Sequence, residues 1–146
     1  MPEFGIGVVC FANLTYAGTS AANNHVLDSL LTLTDIKPRQ LPPSAILNQR
    51  KNELVKIISD WDKAKGSDIF AFNFFMDYFP DKLKAEADNA FTLVGKIISI
   101  GQVIPENELR GYFIMEGETA NIKISFTLSP ENLPLIQYYQ LEVVKK

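Results

Sequence analysis

Strict alternation of apolar and polar positions is clearest in the last third of the chain. There Ile122, Ile124, Phe126 and Leu128 alternate with Lys123, Ser125, Thr127 and Ser129. A period of two puts one set of side chains on each face of a strand, so this run predicts a half-buried strand of an antiparallel meander. Its neighbours read the same way. Residues 96–104, 108–118, 121–129 and 135–144 are four strand-like runs, separated by the turn formers Pro105-Glu106-Asn107, by 117–120 and by 130–134. Upstream the period lengthens. Ser44 is the expected N-cap of a helix with Leu47, Leu54, Val55, Ile58 and Trp61 on one face and Arg50, Lys51, Asn52 and Glu53 off it. That helix should end near Lys65 and Gly66, the glycine taking the left-handed terminal position. In the aromatic stretch 68–80, Phe70, Phe72 and Phe74 alternate with Ala71, Asn73 and Phe75, which predicts a short extended segment. Pro80 then opens a second helix, with Leu83, Ala87, Ala90, Phe91 and Val94 on one face and Gly95 as terminator. Helix, short strand, helix and four antiparallel strands is the order of an α+β roll, two helices against a curved sheet, over residues 44–146.

The beginning of the chain has a different pattern. Phe4, Ile6, Val8, Val9, Cys10 and Phe11 are apolar on both faces, as in a strand buried inside a covered sheet, and Cys10 is expected there as a buried, inert thiol. From Ser20, a plausible N-cap, the spacing of Val26, Leu27, Leu30, Leu31 and Leu33 predicts an amphipathic helix. Three of the eight prolines then fall within residues 37–44, and proline fixes φ and lacks an N–H, so neither helix nor central strand runs through. The expected organisation is a strand–helix unit over 1–37, a linker over 38–43, and the roll from 44.

Composition narrows the function. With 146 residues, 47% hydrophobic and 21% charged, the chain reads as soluble and globular, with enough apolar residues for one sizeable core. A net charge of -3 without a basic cluster gives no footprint for nucleic acid or anionic lipid. Met1-Pro2-Glu3 lacks the basic start of a signal peptide, and the apolar run after it is too short to span a bilayer, so no membrane partner is expected and the compartment stays open. One histidine, His25, and one cysteine offer no metal set, and Gly5-x-Gly7 lacks the third glycine of a phosphate cradle, so no cofactor is expected. Asp60 and Asp62, like Glu86 and Asp88, are two apart and point to different sides of a helix, while Glu116 and Glu118 flank a hairpin turn; none makes an acid–base dyad. A curved sheet around a helix often leaves a cone-shaped cavity. The candidates for its walls are Phe72, Phe74, Asp77, Arg110 and Tyr112, with Asn73 beside them. Phe72, Phe74 and Tyr112 would suit a small apolar ligand. The alternative, an isomerase or hydratase, needs Asp77 as a carboxylate of raised pKa in an apolar pocket. No residue is assigned a catalytic role.

The stretch "PEFGIGVVCFANLTYAGTSAANNHVLDSLL" resembles the C-terminal end of the catalytic domain in class C β-lactamase and penicillin-binding-protein-like serine hydrolases. Pro2, Glu3, Gly5, Gly7, Val8, Val9 and Asn13 match the family's strand x-P-[DE]-x-G-[IL]-G-V-V-x-x-x-N. "LPPSAILNQRKNELVKIISDWD" and the α+β pattern after it are similar to the cystatin-like, nuclear-transport-factor-like accessory domain appended to some members. The resemblance implies a last strand and helix that pack in the hydrolase sheet, followed by a non-catalytic roll; the family is often periplasmic or extracellular. Its motifs S-x-x-K, Y-x-N and K-T-G are absent, Ser59-Asp60-Trp61-Asp62-Lys63 having one residue too many. The expected function is that of a C-terminal accessory fragment, inactive alone, that serves as an interaction or ligand-binding module. A strand without its sheet exposes unpaired N–H and C=O groups. Pairing with its own copy through Phe4, Ile6, Val8 and Cys10, in a homodimer, is therefore expected, with docking onto the edge of the roll as the alternative.

Overall fold

Two units, 1–41 and 42–146, make up the chain, and the computed structural model describes residues 1–38 and 42–146. The linker expected over 38–43 thus lies partly, at 39–41, outside the described residues.

In the first unit, Pro2–Phe4 is a 3-10 turn, with the Phe4 N–H donating to the Met1 carbonyl at 3.2 Å and the Met1 ammonium to the Ile6 carbonyl at 3.1 Å. The strand expected next does not form: residues 6–12 have no strand assignment, and Phe11 is 93% exposed. A strand exists only with a ladder partner, and the only other regular element of this unit, among the described residues, is a helix. Cys10 is accordingly exposed, not buried. That helix, α1 (Thr19–Leu33), forms as its spacing predicts, but its N-cap is Gly18, without a side-chain bond, and Ser20 falls inside the first turn. None of its side chains is fully buried.

The second unit begins with helix α2 (Ala45–Ile58). Ser44 is extended at its N-cap, its Oγ accepting from the Leu47 N–H at 3.3 Å and donating to the Glu108 carbonyl at 2.7 Å. The helix stops at Ile58, short of the expected end, and a 3-10 segment, Trp61–Gly66, seats Trp61 and Ala64 in the core. Gly66 is not left-handed there; among the described glycines only Gly5 and Gly95 have positive φ. Arg50, expected off the apolar face, is only 7% exposed. Its Nε donates to the Pro134 carbonyl at 2.8 Å and its Nη1 to Glu53 at 2.7 Å, and an ion pair reinforced by a hydrogen bond is what permits a buried guanidinium.

The aromatic stretch is not a strand. Phe70 makes an isolated parallel bridge to Ile136, the chain turns, and Phe74–Asp77 forms a single helical turn, α3. Phe70 and Phe74 stack at 4.5 Å inside the core, whereas Phe72 between them is 99% exposed. The turn brings positions four apart together and ejects the one between. Helix α4 (Pro80–Val94) buries Leu83, Ala87, Ala90 and Val94 and ends at Gly95 with φ +74°, as its sequence signals predict.

Five antiparallel strands follow, one more than expected: β1 (Ile97–Ile100), β2 (Ile104–Asn107), β3 (Arg110–Gly117), β4 (Asn121–Leu128) and β5 (Ile136–Val144). The order is β1-β3-β4-β5, and β2 also pairs with β3. Ile100 lies opposite Met115 and Ile104 opposite Tyr112, so β1 and β2 are one edge strand interrupted at 101–103. Val103 turns inward at the break. Pro105, expected in a turn, sits in β2, where an edge strand tolerates the missing N–H. Phe113, Met115, Ile122, Ile124, Phe126, Leu128, Ile136 and Tyr139 form the inner face of an open sheet and share one core with α2 and α4. The unit is α+β, with helices against a five-stranded antiparallel sheet.

Candidate functional site

The space where a cone-shaped cavity was expected is filled. Trp61, Phe74, Phe113 and Phe126 occupy it as fully buried side chains. The five pocket candidates therefore do not converge. Phe74 is core, stacked on Phe70 and on Tyr78 at 4.6 Å. Phe72 projects into solvent beside a shallow recess that includes Ser129 and Glu131, with Asn73 next to it. Arg110 is paired with Glu106 at 2.7 Å on the outer part of the sheet, and Tyr112 lies on the outer face with the Lys123 ammonium 4.6 Å from its ring centroid. Asp77 is exposed rather than enclosed by apolar walls, which removes the environment a carboxylate base would need. Of the interface candidates, Phe4, Ile6 and Val8 are half-buried and Cys10 is exposed. Three of the paired carboxylates are tied up locally: Asp60 with Lys63 at 3.1 Å, Asp62 with Lys84 at 2.6 Å, and Glu116 accepting from the Ser99 hydroxyl at 2.8 Å.

A groove of about 300 Å³ does form, between the start of α4 and β5. Asp77, Tyr78 and Phe79 line it where the chain enters α4, then Lys82, Leu83 and Glu86 along the helix, and Tyr139, Gln140 and Leu141 along the strand. Pro80 sets this geometry, because its fixed φ starts the helix directly after the aromatic turn. Tyr139 faces inward, edge-on to Trp61 at 5.3 Å, and is 4% exposed. Its hydroxyl has no hydrogen-bond partner, nor has the neighbouring Trp61 Nε1. Burial pushes the Tyr139 phenol well above the ordinary tyrosine range, and the Glu86 carboxylate adds to the effect. Burial also raises Tyr78, partly offset by a hydrogen bond with the Tyr139 backbone. Both phenols therefore stay protonated at neutral pH and are neither bases nor nucleophiles, the Tyr78 oxygen accepting from the Tyr139 N–H. The Lys82 ammonium sits 5.3 Å from the Phe79 ring centroid. Asp77 and Glu86 against Lys82 leave the groove one net negative charge.

No histidine or cysteine enters the groove, and no cluster of three or more metal-ligating side chains occurs among the described residues. The arrangement offers Asp77 and Glu86 to a positive charge and the Phe79 ring as an apolar wall; it lacks a nucleophile with its base. Asp77 alone of the sequence candidates belongs to it. Tyr139 and Glu86 were missed, and the one available signal was a hydroxyl-bearing side chain at an inward position of the last strand. No helix among the described residues is long and apolar enough to cross a membrane. No family model, curated protein or solved structure matches this chain.

Proposed function

We propose that the chain is a non-catalytic accessory part of a serine hydrolase of the class C β-lactamase and penicillin-binding-protein-like type, in which residues 42–146 serve as an interaction module and residues 1–37 belong with the hydrolase sheet. The observation that carries this reading is the state of the first unit. Its strand-patterned run, residues 4–11, has no ladder partner, and α1 has no fully buried side chain, as befits elements whose core is supplied from outside. The motif matches at Pro2, Glu3, Gly5, Gly7, Val8, Val9 and Asn13 supply the family. In the isolated chain the same run pairs with a second copy through Phe4, Ile6, Val8 and Cys10. The isomerase or hydratase alternative has no observation in its favour, since Asp77 is exposed. Assays with nitrocefin and a p-nitrophenyl ester test the reading. Neither is turned over above the buffer rate, whereas turnover abolished by a serine-directed inhibitor would overturn it.

A further inference from the structure

We propose that Arg50 and Glu53 form an acid-sensitive latch on the loop between β4 and β5: with Glu53 ionised the latch holds Leu133 in a left-handed conformation, and protonation of Glu53 lets the loop relax around it. The device depends neither on the hydrolase relationship nor on what the unit binds.

The strain sits at one residue. Leu133 has φ +64°, and besides Tyr16 it is the only non-glycine residue with a positive φ among the described residues. A Cβ makes that region unfavourable, and Pro134 after it pushes the residue towards the extended region. Packing returns little, because Leu133 is 71% exposed. Such a conformation persists only where its surroundings impose it. The base of the loop does so from one side: the Ser129 N–H donates to the Leu135 carbonyl at 2.7 Å, and the Leu135 N–H to the Ser129 Oγ at 3.1 Å. Arg50 does so from the other, its Nε donating to the carbonyl of Pro134, next to Leu133, at 2.8 Å.

Arg50 keeps that grip only while its charge is compensated. Its side chain is 9% exposed and lies 2.7 Å from Glu53. Without the counter-charge a buried cation stands alone, which costs more than one hydrogen bond to a carbonyl returns. The long side chain then turns to water and frees Pro134, while the bonds at Ser129 and Leu135 keep the base of the loop closed. Glu53 is 31% exposed, so protons reach it. The other charged groups around it are Lys56 on the same helix, Lys63 of the 3-10 segment, itself paired with Asp60, and Glu131 in the loop, which accepts from the Ser129 hydroxyl at 3.4 Å. Glu53 is the carboxylate paired with Arg50. Burial raises its pKa, but hydrogen bonds from Gln49 and Arg50 outweigh burial and hold it below the ordinary value. The latch is therefore closed at neutral pH and opens as the pH falls through that lowered value.

The test is an NMR titration of the full chain from about pH 7 to about pH 3, following the Glu53 side-chain carboxyl and the cross-peak between the Leu133 amide proton and its own Hα. A positive φ brings those two protons close, so the cross-peak is strong at neutral pH. It is expected to weaken to that of an extended residue as Glu53 titrates, while the amides of Ile122 and Phe126 in the core keep their shifts. Glu53→Ala shows the relaxed Leu133 already at neutral pH, and Glu131→Gln behaves as the parent does. The parent titration stands by itself should Glu53→Ala fail to fold. A Leu133 cross-peak that stays strong through the Glu53 titration or in folded Glu53→Ala would overturn the proposal. So would a change that follows Asp60 or Glu131 instead, or one that the core amides share, since the event would then be unfolding of the whole unit.

Discussion

Arg50 brings an ionised group into a largely apolar core, where its Nε and Nη1 donate to the Pro134 carbonyl and Glu53. Arg50→Ala strands that carbonyl and should cost about 1.5–3 kcal/mol, the range for hydrogen bonds to charged groups, read as a lower urea midpoint. Burial raises the Glu53 pKa, but the Gln49 and Arg50 hydrogen bonds outweigh it and hold the carboxyl below its ordinary value. A depressed carboxylate contributes stability above its unfolded pKa and loses it as pH falls through the folded value. Unfolding free energy should therefore drop below about pH 5, and less steeply in Glu53→Gln, in denaturation curves taken at several pH values. The burial of Arg50 was illegible because its partner Pro134 is distant in sequence. The neighbouring pair Phe72 and Phe74 tells the same story, since period two gave them one face and a helical turn gave them opposite ones. Phe74→Ala should cost about 3–5 kcal/mol, and Phe72→Ser should stay within about 0.5 kcal/mol, as for other exposed positions; paired thermal melts would check both.

Elements whose period was long and whose ends were marked were legible. Helix α4 lies between Pro80 and Gly95 as expected, and β4 keeps its alternation throughout. Errors fell where a long-range contact decides the local state: the β1–β2 break is visible only against β3, and the aromatic stretch takes its shape from the bridge to Ile136. The joint between α4 and the β3–β4 hairpin is a close approach of elements. A Cβ on Gly117 would lie 2.6 Å from the Val94 and Ala120 carbonyl oxygens, which belong to backbone and cannot swing aside. Gly117→Ala should destabilise by about 1–3 kcal/mol through overpacking. Gly66→Ala, with nothing within 4 Å, should change little, and the two melts side by side isolate the joint.

For the whole molecule, the α+β class was legible because propensity, turn residues and burial agreed over 44–146. The groove was not, because it joins residues 77–86 to 139–141, and no local pattern announces which strand meets which helix. The first unit remains the point on which everything turns: a strand pattern with no strand, and a helix without a fully buried side chain. An exposed apolar run of this kind associates, while residues 42–146 carry a core of their own. Light scattering at micromolar concentration, on the full chain and on a chain beginning at Pro42, measures this directly. A full-length dimer that becomes a soluble monomer on truncation is the predicted result; a full-length chain that is itself monomeric would contradict it.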